Sequence, residues 1–178
     1  QVGDVVPQLV MLGSHDRSSH FKFYGGLYRL ICSNGLMVSD SNVVNPIDLR
    51  HTKNVVEGVV NAVAEVVKQH AKVFKHVDAM RKVTLDSKKQ LKFAQDALAL
   101  RWPHRGTIDA SVLLVARRNE DKGDDLWRVY NRVQENLIKG GLLGKTADGR
   151  VTRTHGSNAI DINLRLNSGL RNMAMQSL

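Results

Sequence analysis

The stretch Gly140-Gly141-Leu142-Leu143-Gly144-Lys145-Thr146 has the residue types of a phosphate-binding loop. Such a loop needs four residues between its first glycine and its Gly-Lys-Thr, so that successive amides wrap the phosphates. Here three residues separate Gly140 from Gly144, Lys139 stands where the first glycine belongs, and the segment is predicted to follow a helix instead of a strand. Nucleotide hydrolysis is not expected from it. Ser14-His15-Asp16 has the types of a hydrolytic triad, but neighbours in one turn cannot converge as nucleophile, base and orienter. His51, His104 and His155 sit on separate loops, and His70 has no metal-type partner one turn on, so no zinc spacing exists. Cys32 lies in an apolar run, where a free thiol is a small buried hydrophobe. No catalytic residue, metal or cofactor is assigned.

What remains with a chemical argument is cationic. Arg17 falls on a hairpin tip, Lys22 and Arg29 on strands, Arg50 and Lys53 at a helix start, Arg117 and Arg118 between helices, and Lys139, Lys145, Arg150 and Arg153 in or beside a Gly/Thr-rich basic loop over 140–157. Contacts of such residues to phosphates fix position without reading sequence. Phe23, Tyr24 and Tyr28 offer stacking faces or, equally, ordinary sheet packing. Arg117 and Arg118 could instead pair with Glu120, Asp121 and Asp124. The chain carries a net charge of +9 and a pI near 9.9, the electrostatic footprint of a polyanion binder. Thirteen of the 26 Lys and Arg lie in residues 1–100 and thirteen in 101–178, so the charge belongs to the whole fold and not to a tail.

The elements that must position these groups are legible in outline. Gln8–Leu12, Phe21–Phe23 with its alternation, Leu27–Cys32 and Leu36–Val38 read as strands, with a bulge at Gly25-Gly26 and a tight turn at Asn34-Gly35. Residues 39–50 read as a loop. A helix capped by Asn54 is predicted to about Val77, with Val55, Val59, Val63, Val66, Val67, Phe74 and Val77 on one face and Lys68, Lys72 and Lys75 opposite. A second is predicted from a Thr84 cap to Trp102, before Pro103. A short one spans about 109–115. A third runs from an Asp124 or Asp125 cap through Leu137, with Leu126, Val129, Tyr130, Val133 and Leu137 inward and a stop at Gly140-Gly141. A last helix begins after Asn158.

The fold class is therefore α+β: a small antiparallel sheet, a hairpin plus a further strand, packed against long helices. One domain is expected over 1–178, strand-rich in 8–50 and helix-rich in 52–178. The single cysteine argues against a disulfide scaffold, and the lack of an apolar run of roughly 18 residues against a membrane span. The chain starts at Gln1 without Met, and a further N-terminal region is expected in the full-length protein.

Ser14-His-Asp-Arg-Ser-Ser19, Gly26-Leu-Tyr-Arg-Leu-Ile-Cys-Ser-Asn-Gly-Leu36, His51-Thr-Lys-Asn-Val-Val-Glu57, Asp124-Asp-Leu-Trp127 and Arg132-Val-Gln-Glu-Asn-Leu-Ile-Lys-Gly-Gly141 resemble, in order and spacing, the YfjQ/YafZ-like phage and plasmid family catalogued as domain of unknown function 932. The resemblance runs from about residue 8 to the C-terminus. It implies a mobile-element setting in bacteria and assigns no activity; the lone cysteine and the absence of a signal-peptide pattern or apolar span make cytoplasmic the default expectation. The order hairpin, further strand, long helix is also similar in architecture to the β-β-β-α core of phage single-strand annealing proteins. That likeness implies single-stranded DNA as partner, a homo-oligomer and no cofactor. The alternative is a non-enzymatic, protein-binding accessory factor of a mobile element, such as a host-defence inhibitor. A third possibility is an enzyme whose key residues lie partly in the absent N-terminal region.

Overall fold

The computed structural model describes residues 5–12, 21–29, 35–36, 47–49, 55–103, 108–145 and 148–178. Its elements are mixed helix and strand, so the α+β class holds. Contacts divide the chain into two compact units, residues 1–75 and 76–178, with the boundary inside one helix.

The first unit contains a four-stranded antiparallel sheet. β1 (Val5–Leu12) pairs along its whole length with β2 (Phe21–Arg29), and β2 in turn pairs with β3 (Gly35–Leu36) and β4 (Ile47–Leu49). Lys22 is exposed and Phe23 is buried, as alternation requires. Three expectations are corrected here. Gly25 and Gly26 pair in register with Leu9 and Gln8, so no bulge interrupts β2. Gly35 pairs with Tyr28 and is a strand residue, so the β2–β3 connection is longer than a two-residue turn. Part of the expected loop 39–50 is β4, whose three residues line up with Phe21–Phe23; so short a strand leaves no periodic signal.

α1 (Val55–Lys82) is 28 residues long, five residues beyond the predicted end at Val77. Its lysines lie outside as expected: Lys68, Lys72, Lys75 and Lys82 are all exposed. Val77 and Met80 are buried in the second unit. Val67, expected on the apolar face, is 61% exposed; Val56 and Val60, which were not placed on that face, are exposed at 71% and 61%. The expected Asn54 cap lies outside the described residues.

The second unit is built around α3 (Leu126–Lys139). Asp125 caps it by accepting from the Arg128 amide, and Gly140 ends it at φ +63°. α2 (Ser87–Arg101) ends at Trp102 as predicted. Its cap is Asp86, which accepts from the Lys89 amide at 2.8 Å, and not Thr84, which bridges to Asp125. The short helix over Ala110–Leu114 is a 3-10 helix capped by Asp109, and a second 3-10 turn covers Asn119–Asp121. α4 (Ile160–Met175) starts after Ala159 with no side-chain cap, so the expected Asn158 cap is not formed.

The expected loop 140–157 contains a two-stranded ribbon, β5 (Leu143–Lys145) paired with β6 (Val151–Arg153). Two glycines explain why this stretch imitates a phosphate-binding loop. A side chain on Gly140 would meet the Gly156 nitrogen at 2.6 Å, because the two backbones cross there. One on Gly144 would strike Ile108 Cγ1 at 2.7 Å, because the ribbon lies directly on Ile108.

Candidate nucleic-acid interface

α3 is buried almost all round, not on one stripe. Every residue from Leu126 to Leu137 is buried except Arg128, and these include Asn131, Arg132, Gln134, Glu135 and Asn136. Buried polar groups must be paired, and here they take up several of the sequence-expected cations. Glu135 accepts from both guanidinium nitrogens of Arg118, at 2.9 Å for the Nη1 bond, and from Lys139 Nζ. Its side chain is only 3% exposed. Arg118 also reaches Asp121 at 3.5 Å. Arg117 Nε donates to Asn136 Oδ1 at 2.7 Å and Nη2 to the Gly140 carbonyl at 3.2 Å, while Asn136 Nδ2 donates to the carbonyls of Leu113 and Val115.

A second network ties α3 to α2. Arg132 donates to the carbonyls of Asp121 and Gly123 and to Gln90 Oε1, and Gln90 Nε2 donates to Asp124 Oδ1 at 2.9 Å. Burial lowers the Arg132 pKa, and the carboxylates of Asp124, Asp121 and Asp125 push it back up. Buried Tyr130 is held above its ordinary value by desolvation, partly offset by Arg171. Arg117, Arg118 and Lys139 thus serve as internal struts around α3. Pairing of Arg118 with Asp121 was legible locally; pairing with Glu135, seventeen residues on, was not.

Three other expected cations come together on the ribbon. In its register Leu143 faces Arg153 and Lys145 faces Val151, and all four are exposed. Gly144 and Thr152 point the other way and are half-buried. One face therefore presents two cations beside two aliphatic side chains, Leu143 being 54% and Val151 68% exposed. Arg153 also holds the Gly141 carbonyl at 3.0 Å. Arg150 stands at the ribbon's turn, 85% exposed, with Asp148 at 3.1 Å.

Lys22 is exposed on β2, opposite Asp48 in register, and Arg29 closes the same strand opposite Val5. Phe23 is 1% exposed, which makes it a core residue and not a stacking platform. Arg17, Arg50 and Lys53 lie outside the described residues. A cationic strip missed by the sequence reading runs along α2. Lys88, Lys89 and Lys92 are exposed and, with Asp86 and Asp96, line a groove of about 660 Å³ that Leu85, Phe93 and Met173 also line; Lys92 is paired with Asp96. Lys88 and Lys89 occupy the first helical turn, where the helix dipole disfavours positive charge; that position was a readable signal.

Among the described residues no three His, Cys, Asp or Glu are grouped to hold a metal, and no helix is long and apolar enough to cross a membrane.

Fold and surface together define an α+β protein with a cationic ribbon on a polar-cored helical unit. Its relationships agree with the motifs: residues 1–167 match the family described as "Domain of unknown function (DUF932)", and the chain belongs to that family. It is 36% identical over 173 residues to the UPF0380 proteins YfjQ and YafZ of Escherichia coli (strain K12), an overlap that takes in 97% of this chain and 63% of each relative. No solved structure matches it.

Proposed function

We propose that this chain binds single-stranded nucleic acid without sequence preference, as an annealing-type recombination protein of a phage or other mobile element in the bacterial cytoplasm. It would act as a homo-oligomer, with no cofactor and no catalysis of its own. The observation that carries this reading is the exposed ribbon face, where Lys145 and Arg153 alternate with Leu143 and Val151. Cations of this kind meet phosphates, and adjacent aliphatic groups cover sugar or base faces. The net charge of +9, the lysine strip on α2 and the order of a β1–β2 hairpin, further strands and a long helix support the same reading. The exposed Val56, Val60 and Val67 on α1 give self-association an apolar surface.

The test is fluorescence anisotropy with a labelled oligo-dT and with duplex DNA at two salt concentrations. Preference for the single strand and a steep loss of affinity with salt are expected, with a logarithmic slope of about −0.7 per phosphate contacted. Absence of binding at low salt would remove the proposal. The exposed Leu143, Val151 and Val115 favour a second reading, an accessory factor that docks on another protein. That reading gains if the oligonucleotide fails.

A further inference from the structure

Two arginines outside the sequence-expected set lie where the end of α2 faces the first half of α4, near enough for the charge of one to act on the other. The groove beside Lys92 joins the early part of α2 to Met173 and Gln176 on α4, so the two helices run in opposite directions. At the other end Leu100 lies against Gly169, where an added side chain would come within 2.8 Å of Leu100 Cδ1. Arg165 is one turn before Gly169, on the same side of α4, and so on the flank that faces the end of α2.

The Arg101 guanidinium sits 5.3 Å from the Trp102 ring centroid, and Nη2 makes a long bond of 3.4 Å to the His155 carbonyl. Its Nε is buried and has no acceptor. No carboxylate pairs with either arginine among the described residues. Burial first, and the charge of Arg165 second, lower the Arg101 pKa. Two residues beyond His155, Ser157 is 7% exposed and its Oγ also lacks a partner. Elsewhere in this unit the terminal nitrogens of the guanidinium groups are matched by Glu135, Gln90 or backbone carbonyls, although Arg132 Nε, like Arg101 Nε, has no acceptor. A pair of guanidinium groups with an unused buried donor and no counter-ion is arranged for an anion that bridges them, since a tetrahedral oxyanion accepts in several directions at once.

We propose that Arg101 and Arg165 form a binding site for a phosphate-type oxyanion. Its source would be a backbone phosphodiester of the bound strand, in which case the site rests on the nucleic-acid reading, or a free phosphate group, in which case it does not.

The full 178-residue chain is titrated with inorganic phosphate, against chloride at matched ionic strength, while thermal unfolding is followed. Phosphate should raise the midpoint beyond the chloride control. The gain should vanish in Arg165→Gln, an exposed position that leaves the core intact, and shrink in Arg101→Lys, which keeps charge but loses the forked donor. Oligo-dT anisotropy on Arg165→Gln then separates the sources. A severalfold weaker affinity with the salt slope lowered by about 0.7 identifies a phosphodiester. Unchanged oligonucleotide binding, or none in either protein, with the phosphate effect intact identifies a free phosphate group; if no strand binds, the nucleic-acid reading fails while this site stands. Equal effects of phosphate and chloride on the wild-type protein, with Arg165→Gln indistinguishable from it, overturn the proposal.

Discussion

Arg118 and Lys139 differ from Lys145 and Arg153 in surroundings more than in chemistry. The first pair closes on one carboxylate, Glu135, whose side chain is 3% exposed. The second pair stands on an open ribbon beside aliphatic neighbours. All four contribute to the same net charge of +9, yet a count of charge cannot tell a strut from a binding group. The difference arises because α3 is enclosed by α2, the Ala110–Leu114 turn, the Asn119–Asp121 turn and α4, all of which contact it. A cation next to that helix loses its water and must find an oxygen. A cation on the ribbon stays exposed to water, even where, as with Arg153, it also holds a backbone carbonyl.

The sharpest way to break this contrast is Glu135→Leu. It leaves the Arg118 guanidinium beside a buried apolar group, and a loss of about 3–5 kcal/mol in urea denaturation is expected. A loss under about 1 kcal/mol would mean that the cluster is not sealed from solvent. Asn136→Ala comes next, because it strands the Leu113 and Val115 carbonyls and removes the acceptor of Arg117 Nε. About 2 kcal/mol is expected by the same measurement. Replacing Lys145, Arg150 and Arg153 together by Ala should do the reverse. Stability stays within about 0.5 kcal/mol per site, while oligo-dT affinity falls alike for all sequences and the salt slope drops by about 2. A destabilised but fully binding triple variant would invert the assignment of struts and binders.

The smallest effect concerns pH. The Asp109 carboxyl accepts from the Ser111 amide at 2.9 Å, and that bond, with the Ser111 side chain second, holds its pKa below the usual carboxylate range. A depressed folded-state pKa means that the capping contribution is complete above the unfolded-state value and disappears as pH falls through the folded one. The melting difference between wild type and Asp109→Asn should therefore narrow on acidification below about pH 4. A constant difference would show that the cap works without its charge.

Legibility in the sequence followed the range of the forces involved. The end of α2 and both ends of α3 were readable because Trp102-Pro103, Asp125 and Gly140 act within one turn of backbone. The apolar stripe of α3 was read correctly, and Leu126, Val129, Tyr130, Val133 and Leu137 are all buried. Its buried polar side was not, because an amphipathic pattern implies a wet face and nothing local shows that other elements cover it. Ribbon strands of three residues are too short for alternation to register, and the glycine-rich string around them pointed to phosphate chemistry when it served close backbone packing. Of the expected site residues, those on the ribbon converge, those flanking α3 are engaged internally, and Arg101 with Arg165 went unnoticed because 64 residues separate them.

The crossing of Gly140 over Gly156 has a consequence for how this family can diversify. The stem of the hairpin is closed by the Gly141–Thr154 and Thr154–Leu142 backbone bonds and tied to α3 by the Ser157–Ile138 bond. Its far end carries the exposed Asp148, Gly149 and Arg150. Length and charge at the tip can therefore drift between homologues without disturbing the scaffold, and grafting a foreign tip onto this stem should leave the unfolding transition where it is.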